Sequence, residues 1–169
     1  TLSGAASLSG VLLGDEANVS LSGTPSANFL TVTAGISKTV SVTGYSLSGT
    51  ALANYTLGAL NLQADITKKE VTVSGASVAD KNYDGTTTAT LTGTLSGVIS
   101  PDSVTFNAIA AFADANVGTA KPVTSTSTIT GTDAANYNLV QPTGLTASIS
   151  ASPCAAGNSG LVTWNFTSA

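Results

Sequence analysis

The feature that most constrains this chain is that it contains itself twice. GTALANYTL at residues 49–57 returns as GTDAANYNL at residues 131–139. Asn54 maps to Asn136 and Tyr55 to Tyr137 at a step of 82, while Phe29 maps to Phe112, Lys38 to Lys121 and Leu62 to Leu145 at a step of 83. The order is kept throughout, which marks a tandem duplication. A period of this size is a whole small domain and exceeds the stacking units of solenoids. The expected organisation is a first repeat over residues 1–67, a second over 68–150, and a linker with a C-terminal strand over 151–169.

The local pattern is β. In residues 60–67, Leu60, Leu62, Ala64 and Ile66 alternate with Asn61, Gln63, Asp65 and Thr67, and Leu145, Ala147 and Ile149 repeat the alternation. A period of two sends one row toward a core and the other toward water. Val40/Val42, Val71/Val73 and Val104/Phe106 read the same way. Gly, Asn and Asp punctuate these runs at short intervals, as turns require. No window carries an apolar stripe at helical spacing; ALANY and DAANY could each hold one turn at most. The expected fold class is all-β: two tandem immunoglobulin-like β-sandwich repeats plus a C-terminal extension strand.

Composition removes several functions. Charged residues are 8% of the chain, with five lysines, no arginine and a net charge of −4. Nucleic-acid binding needs clustered Lys and Arg to displace counterions, so that partner is excluded. No apolar run approaches the length of a membrane helix, so membrane insertion is not expected. There is no His, so neither a Ser–His nor a Cys–His nucleophile pair can be built. The close carboxylates, Asp15 with Glu16 and Asp80 with Asp84, lack the loop spacing of a calcium site and read as solvated charges. No enzyme activity, cofactor or metal is expected. A single Cys, Cys154, forbids an intrachain disulfide.

The second repeat carries motifs that identify a family resemblance. KNYDGTT (81–87), DANVGTAKPV (114–123) and GTDAANYNLVQPTGLTASI (131–149) resemble the YDG repeats of large bacterial surface proteins, which accompany the related MBG repeats in filamentous-haemagglutinin-like adhesins. The resemblance is close over residues 69–150 and looser over 1–67. It implies an extracellular, non-enzymatic stalk or adhesive surface at the bacterial cell surface, without naming a ligand. Repeat 1 departs from the pattern: it has no YDG element, and LTVTAGISK stands where repeat 2 has ADANVGTAK.

Repeat 1 also lacks a beginning. Thr1-Leu2 aligns with Thr90-Leu91, so nothing in residues 1–67 corresponds to residues 68–89, which supply a strand near Val71–Ser74 and the YDG turn. A sandwich short of one strand exposes an apolar groove and unpaired edge groups. At the other end, after a Ser/Pro/Ala/Gly linker, GLVTWNFT reads as a strand with Val162, Trp164 and Phe166 on one face, and repeat 2 needs no further strand. About nine linker residues span at most ~30 Å, short for passing a whole domain. The expectation is a self partner: the tail of one subunit enters repeat 1 of the next, head to tail, building a fibre. The alternatives are a passive stalk fragment of a large secreted adhesin, or a repeat that binds a surface glycan or host surface.

The remaining candidates read as structural. Asp84-Gly85 should make a tight turn with Tyr83 packed over a sheet end. Tyr55 and Tyr137, recurring at one place in both repeats, resemble a tyrosine-corner brace.

Overall fold

The computed structural model describes residues 5–153, and these are all-β: no α-helix occurs among them, and the helical pieces are two 3-10 turns, Leu52–Asn54 and Ala134–Asn136. No helix among the described residues is long and apolar enough to cross a membrane. The chain divides at Lys69–Glu70 into two compact units.

The first unit is a three-stranded antiparallel sheet in the order β1–β2–β3, with β1 Ser20–Phe29, β2 Gly35–Ser48 and β3 Asn61–Ile66. The β1–β2 register shifts between Gly23 and Ser26. Gly23 and Gly44 face each other there with φ of +102° and +85°, and a Cβ on Gly23 would stand 2.1 Å from the Gly44 carbonyl oxygen. Only residues without a side chain let the two strands close across this bulge. Beyond it, Ser20 and Ser48 join by their hydroxyls at 2.9 Å, as do Ser22 and Ser46.

Among its described residues the second unit holds ten short strands: β4 Lys69–Val78, β5 Lys81–Asn82, β6 Thr88–Ala89, β7 Leu91–Ser96, β8 Thr105–Asn107, β9 Ala110–Phe112, β10 Gly118–Ser125, β11 Thr128–Thr130, β12 Tyr137–Leu139 and β13 Thr146–Ser150. They form three sheets, β5–β13–β10–β9–β6, β11–β8 and β12–β4–β7. Only β5 and β13 pair in parallel among the registers described. The core gathers Ala89, Leu91, Ala110, Phe112, Val123, Leu145, Ala147 and Ile149, with Ala76, Val78 and Phe106 packed against it. Alternation accounts for it: in β13, Ala147 and Ile149 point in and Thr146 and Ser150 out.

Local geometry repeats between the units. Phe29 pairs with Val40 as Phe112 pairs with Val123. Both units shift register at a left-handed residue, Ser37 (φ 50°) and Ala120 (φ 47°), just before Lys38 and Lys121. One difference stands out. β1 and β2 run unbroken where the second unit splits into β8/β9 and β10/β11. At the split, Gln141 accepts from the Ser125 hydroxyl (2.8 Å) and the Ser127 amide (3.1 Å) and donates to the Ser127 carbonyl (2.7 Å). Side-chain bonds there replace ladder bonds.

The period-two row of residues 60–67 forms β3 from Asn61, but its apolar side is not buried within the first unit. Leu62 is 37% exposed where Leu145 is 8%, and Phe29 is 41% exposed where Phe112 is 3%. The second unit covers these positions with side chains from residues 76–91, namely Ala76, Val78, Ala89 and Leu91. Most of that segment has no counterpart in residues 1–69. Alternation specifies a strand; a covering layer decides whether the apolar row is dry.

Candidate functional site

Two tyrosines fix the correspondence between the units. In the second, the Tyr137 hydroxyl donates to Asp102 Oδ2 (2.6 Å) and accepts from the Ile99 amide (3.0 Å). In the first, the Tyr55 hydroxyl donates to Asp15 Oδ2 (2.8 Å) and accepts from the Leu12 amide (3.1 Å). The bond to Asp102, with desolvation, raises the Tyr137 pKa above its ordinary value. For Tyr55, the Leu12 amide pulls the pKa down, but desolvation and Asp15 outweigh it and the net shift is upward. These braces equate SLSGVLLGD (7–15) with TLSGVISPD (94–102), a step of 87. Asp15 is thus the acceptor of a brace and not the solvated charge that the sequence suggests; the signal available was the motif LSGV followed by Asp four residues on, present in both repeats.

With that correspondence, the sheet β12–β4–β7 of the second unit can be placed on the first. Residues 5–9 correspond to the end of β7, and Tyr55–Leu57 to β12. Between β12 and β7 the second unit inserts β4: Val73 pairs with Leu95, Thr72 with Ser96, and the Val71 carbonyl accepts the Val140 amide at 2.9 Å. Val71 is almost wholly buried. In the first unit the same two flanks border an open groove of about 440 Å³. Its rims are Ala6–Ser9 with Val11 on one side and Tyr55–Leu60 on the other; its floor includes Val19, Leu21, Val42 and Leu47. Residues 5–9 form no strand, whereas their counterparts in β7 do. The physical reason is that β7 is held by its ladder to β4, and a strand without a ladder leaves its amides to water.

The YDG stretch is a loop packed on the second unit. The Tyr83 amide donates to the Ser150 carbonyl at 2.7 Å, while the residue is 47% exposed. Asp84 Oδ1 accepts from the Thr86 amide and hydroxyl, both at 2.9 Å, and pairs with Lys81 at 2.8 Å. Lys81 and these Thr86 bonds hold the Asp84 pKa down at about 2. Gly85 turns the chain with φ of +78°. Lys81 is the hub that sequence reasoning missed: its ammonium also donates to the carbonyls of Thr86 (2.9 Å) and Thr88 (3.1 Å) and lies 5.7 Å from the Phe112 ring centroid. Its spacing, three residues before Asp84, was the available signal. Val162, Trp164 and Phe166 lie outside the described residues, as does Cys154. Among the described residues no group of three or more His, Cys, Asp or Glu side chains could hold a metal ion.

The family model of the YDG domain matches residues 1–62 and again 67–144. The chain belongs to the YDG domain family. Both repeats are therefore YDG domains by sequence, and the first matches without the tripeptide that names the family. The shared signature resides instead in the tyrosine brace, the left-handed register shift before Lys38 and Lys121, and the Gly49/Gly131 turn. A Cβ on either of those glycines would stand 2.0 or 2.3 Å from the carbonyl oxygen of Asn18 or Ser103. No curated protein and no solved structure matches this YDG chain.

Proposed function

We propose that the chain is a non-enzymatic structural subunit of an extracellular bacterial surface fibre. Its two repeats act as immunoglobulin-like β-sandwiches, and subunits join head to tail. The C-terminal strand of one subunit, with Val162, Trp164 and Phe166 on its apolar face, enters the first repeat of the next. The observation that carries this reading is the groove of the first repeat, which lies between the counterparts of the two strands that flank β4 in the second. A strand laid there gains main-chain bonds on both sides and buries apolar side chains in a floor of Val19, Leu21, Val42 and Leu47. A heterologous contact of this kind does not close on itself, so it propagates into a filament.

A second reading rests on chain order. β3 ends at Ile66 and β4 starts at Lys69, so the first strand of one repeat follows directly on the last strand of its predecessor. In a longer array, a preceding repeat boundary would supply the strand covalently, and the chain would be part of the stalk of a large adhesin.

Negative-stain electron microscopy of the full chain, beside a variant lacking residues 160–169, separates the two. Strand donation expects uniform thin fibres from the full chain and none from the truncated one. Fibres that persist after the deletion would overturn it.

A further inference from the structure

The groove differs from the site of β4 in one chemical respect. In the second unit, the Val140 amide bonds the Val71 carbonyl of β4, and the next residue, Gln141, turns to Ser125 and Ser127. By the step of 82 that aligns the tyrosines, Gln141 corresponds to Ala59; by the step of 83 that aligns the valines, Ser125 corresponds to Val42. Both Ala59 and Val42 line the groove. A polar plug has been replaced by a short side chain and an apolar one, and Tyr45 and Leu47 also face the opening. Replacing the Gln141 amide and the Ser125 hydroxyl by Ala59 and Val42 removes polar partners and side-chain length from this part of the groove.

Resting on strand donation as the function, we infer that the part of the groove lined by Val42, Tyr45, Leu47 and Ala59 is an aromatic pocket whose occupant is Trp164 of a second copy of the chain. The segment outside the described residues includes GLVTWNFT, where Trp164 stands at the centre of the apolar row between Val162 and Phe166. A central, fully desolvated aromatic is where binding energy concentrates in an interface. Tyr45 offers its ring to an indole, and such aromatic pairs add to simple area burial. The second repeat, with valines in its own strand and the Gln141 plug in place, could not take the same side chain.

Trp164 is the sole tryptophan, so its fluorescence reports its own environment. On assembly of the full chain, emission should move to shorter wavelength and acrylamide quenching should be lost. Trp164→Val should raise the concentration needed for assembly at least about thirtyfold, the loss expected of an interface anchor. Ala59→Gln, which rebuilds the plug at a position that is exposed, should weaken assembly similarly, with Val42→Ser as the companion variant. Circular dichroism checks that each variant keeps its β structure. Fibres in which Trp164 remains as open to acrylamide as in the monomer would overturn the anchor and leave strand donation standing. So would assembly unchanged by Trp164→Val or by Ala59→Gln. Fibres from a chain lacking residues 160–169 would overturn the donation on which the anchor rests.

Discussion

Phe29 and Phe112 offer a matched pair: the same residue, at the same register, opposite equivalent valines, in two environments. Phe112 is 3% exposed, packed in the core with Lys81 above its ring, whereas Phe29 is 41% exposed. Truncating a buried phenylalanine costs about 3–5 kcal/mol through lost transfer energy and the cavity left behind. Phe112→Ala should therefore cost the second unit about 4 kcal/mol. Phe29 is already 41% exposed and leaves no closed cavity, so Phe29→Ala should cost the first unit about 1–2 kcal/mol. The two units need separate readouts, since a single global transition would blur them. Peptide-resolved hydrogen exchange, followed in β2 and β3 for the first unit and in β10 and β13 for the second, gives an opening free energy for each. The measurement belongs at concentrations where the chain sediments as a monomer. Equal losses in the two units would refute the claim that the first repeat carries an uncovered core face.

Three further outcomes follow from local chemistry. Gln141→Ala removes the partner of the Ser127 amide and carbonyl and of the Ser125 hydroxyl, and should destabilise the second unit by about 1–3 kcal/mol in denaturant unfolding. Asp84 titrates at about 2 in the folded chain against an ordinary 3.8, so its contribution is present above pH 3.8 and lost as pH falls toward 2; Asp84→Asn should flatten the acid limb of second-unit stability in that window, as followed by hydrogen exchange. Tyr137 is shifted the other way, so its brace is intact below its ordinary pKa of 10.0 and is lost as pH rises through its folded value; Tyr137→Phe should remove that alkaline step from the thermal melting profile.

Much of this was legible in residue order. The duplication, the β character and the turn at Asp84-Gly85 all follow from spacing, because strand alternation and turn chemistry are local properties. The recurrence of Asn-Tyr pointed to a brace but not to its partner. Asp15 and Asp102 lie 40 and 35 residues before their tyrosines, and no local rule joins them. Lys81 likewise read as one of five scattered lysines until the fold brought Thr86, Thr88 and Phe112 around it.

By itself the sequence determined which residues alternate, where the chain turns, and that one domain occurs twice. Only the tertiary structure decided which alternating rows are buried. Leu62 and Leu145 sit in the same pattern on corresponding strands, yet one stays wet and the other goes dry. Periodicity sets the direction in which a side chain points. Burial depends on what lies in that direction, and for Leu145 that is a segment distant in sequence, residues 76–91, most of which has no counterpart in residues 1–69.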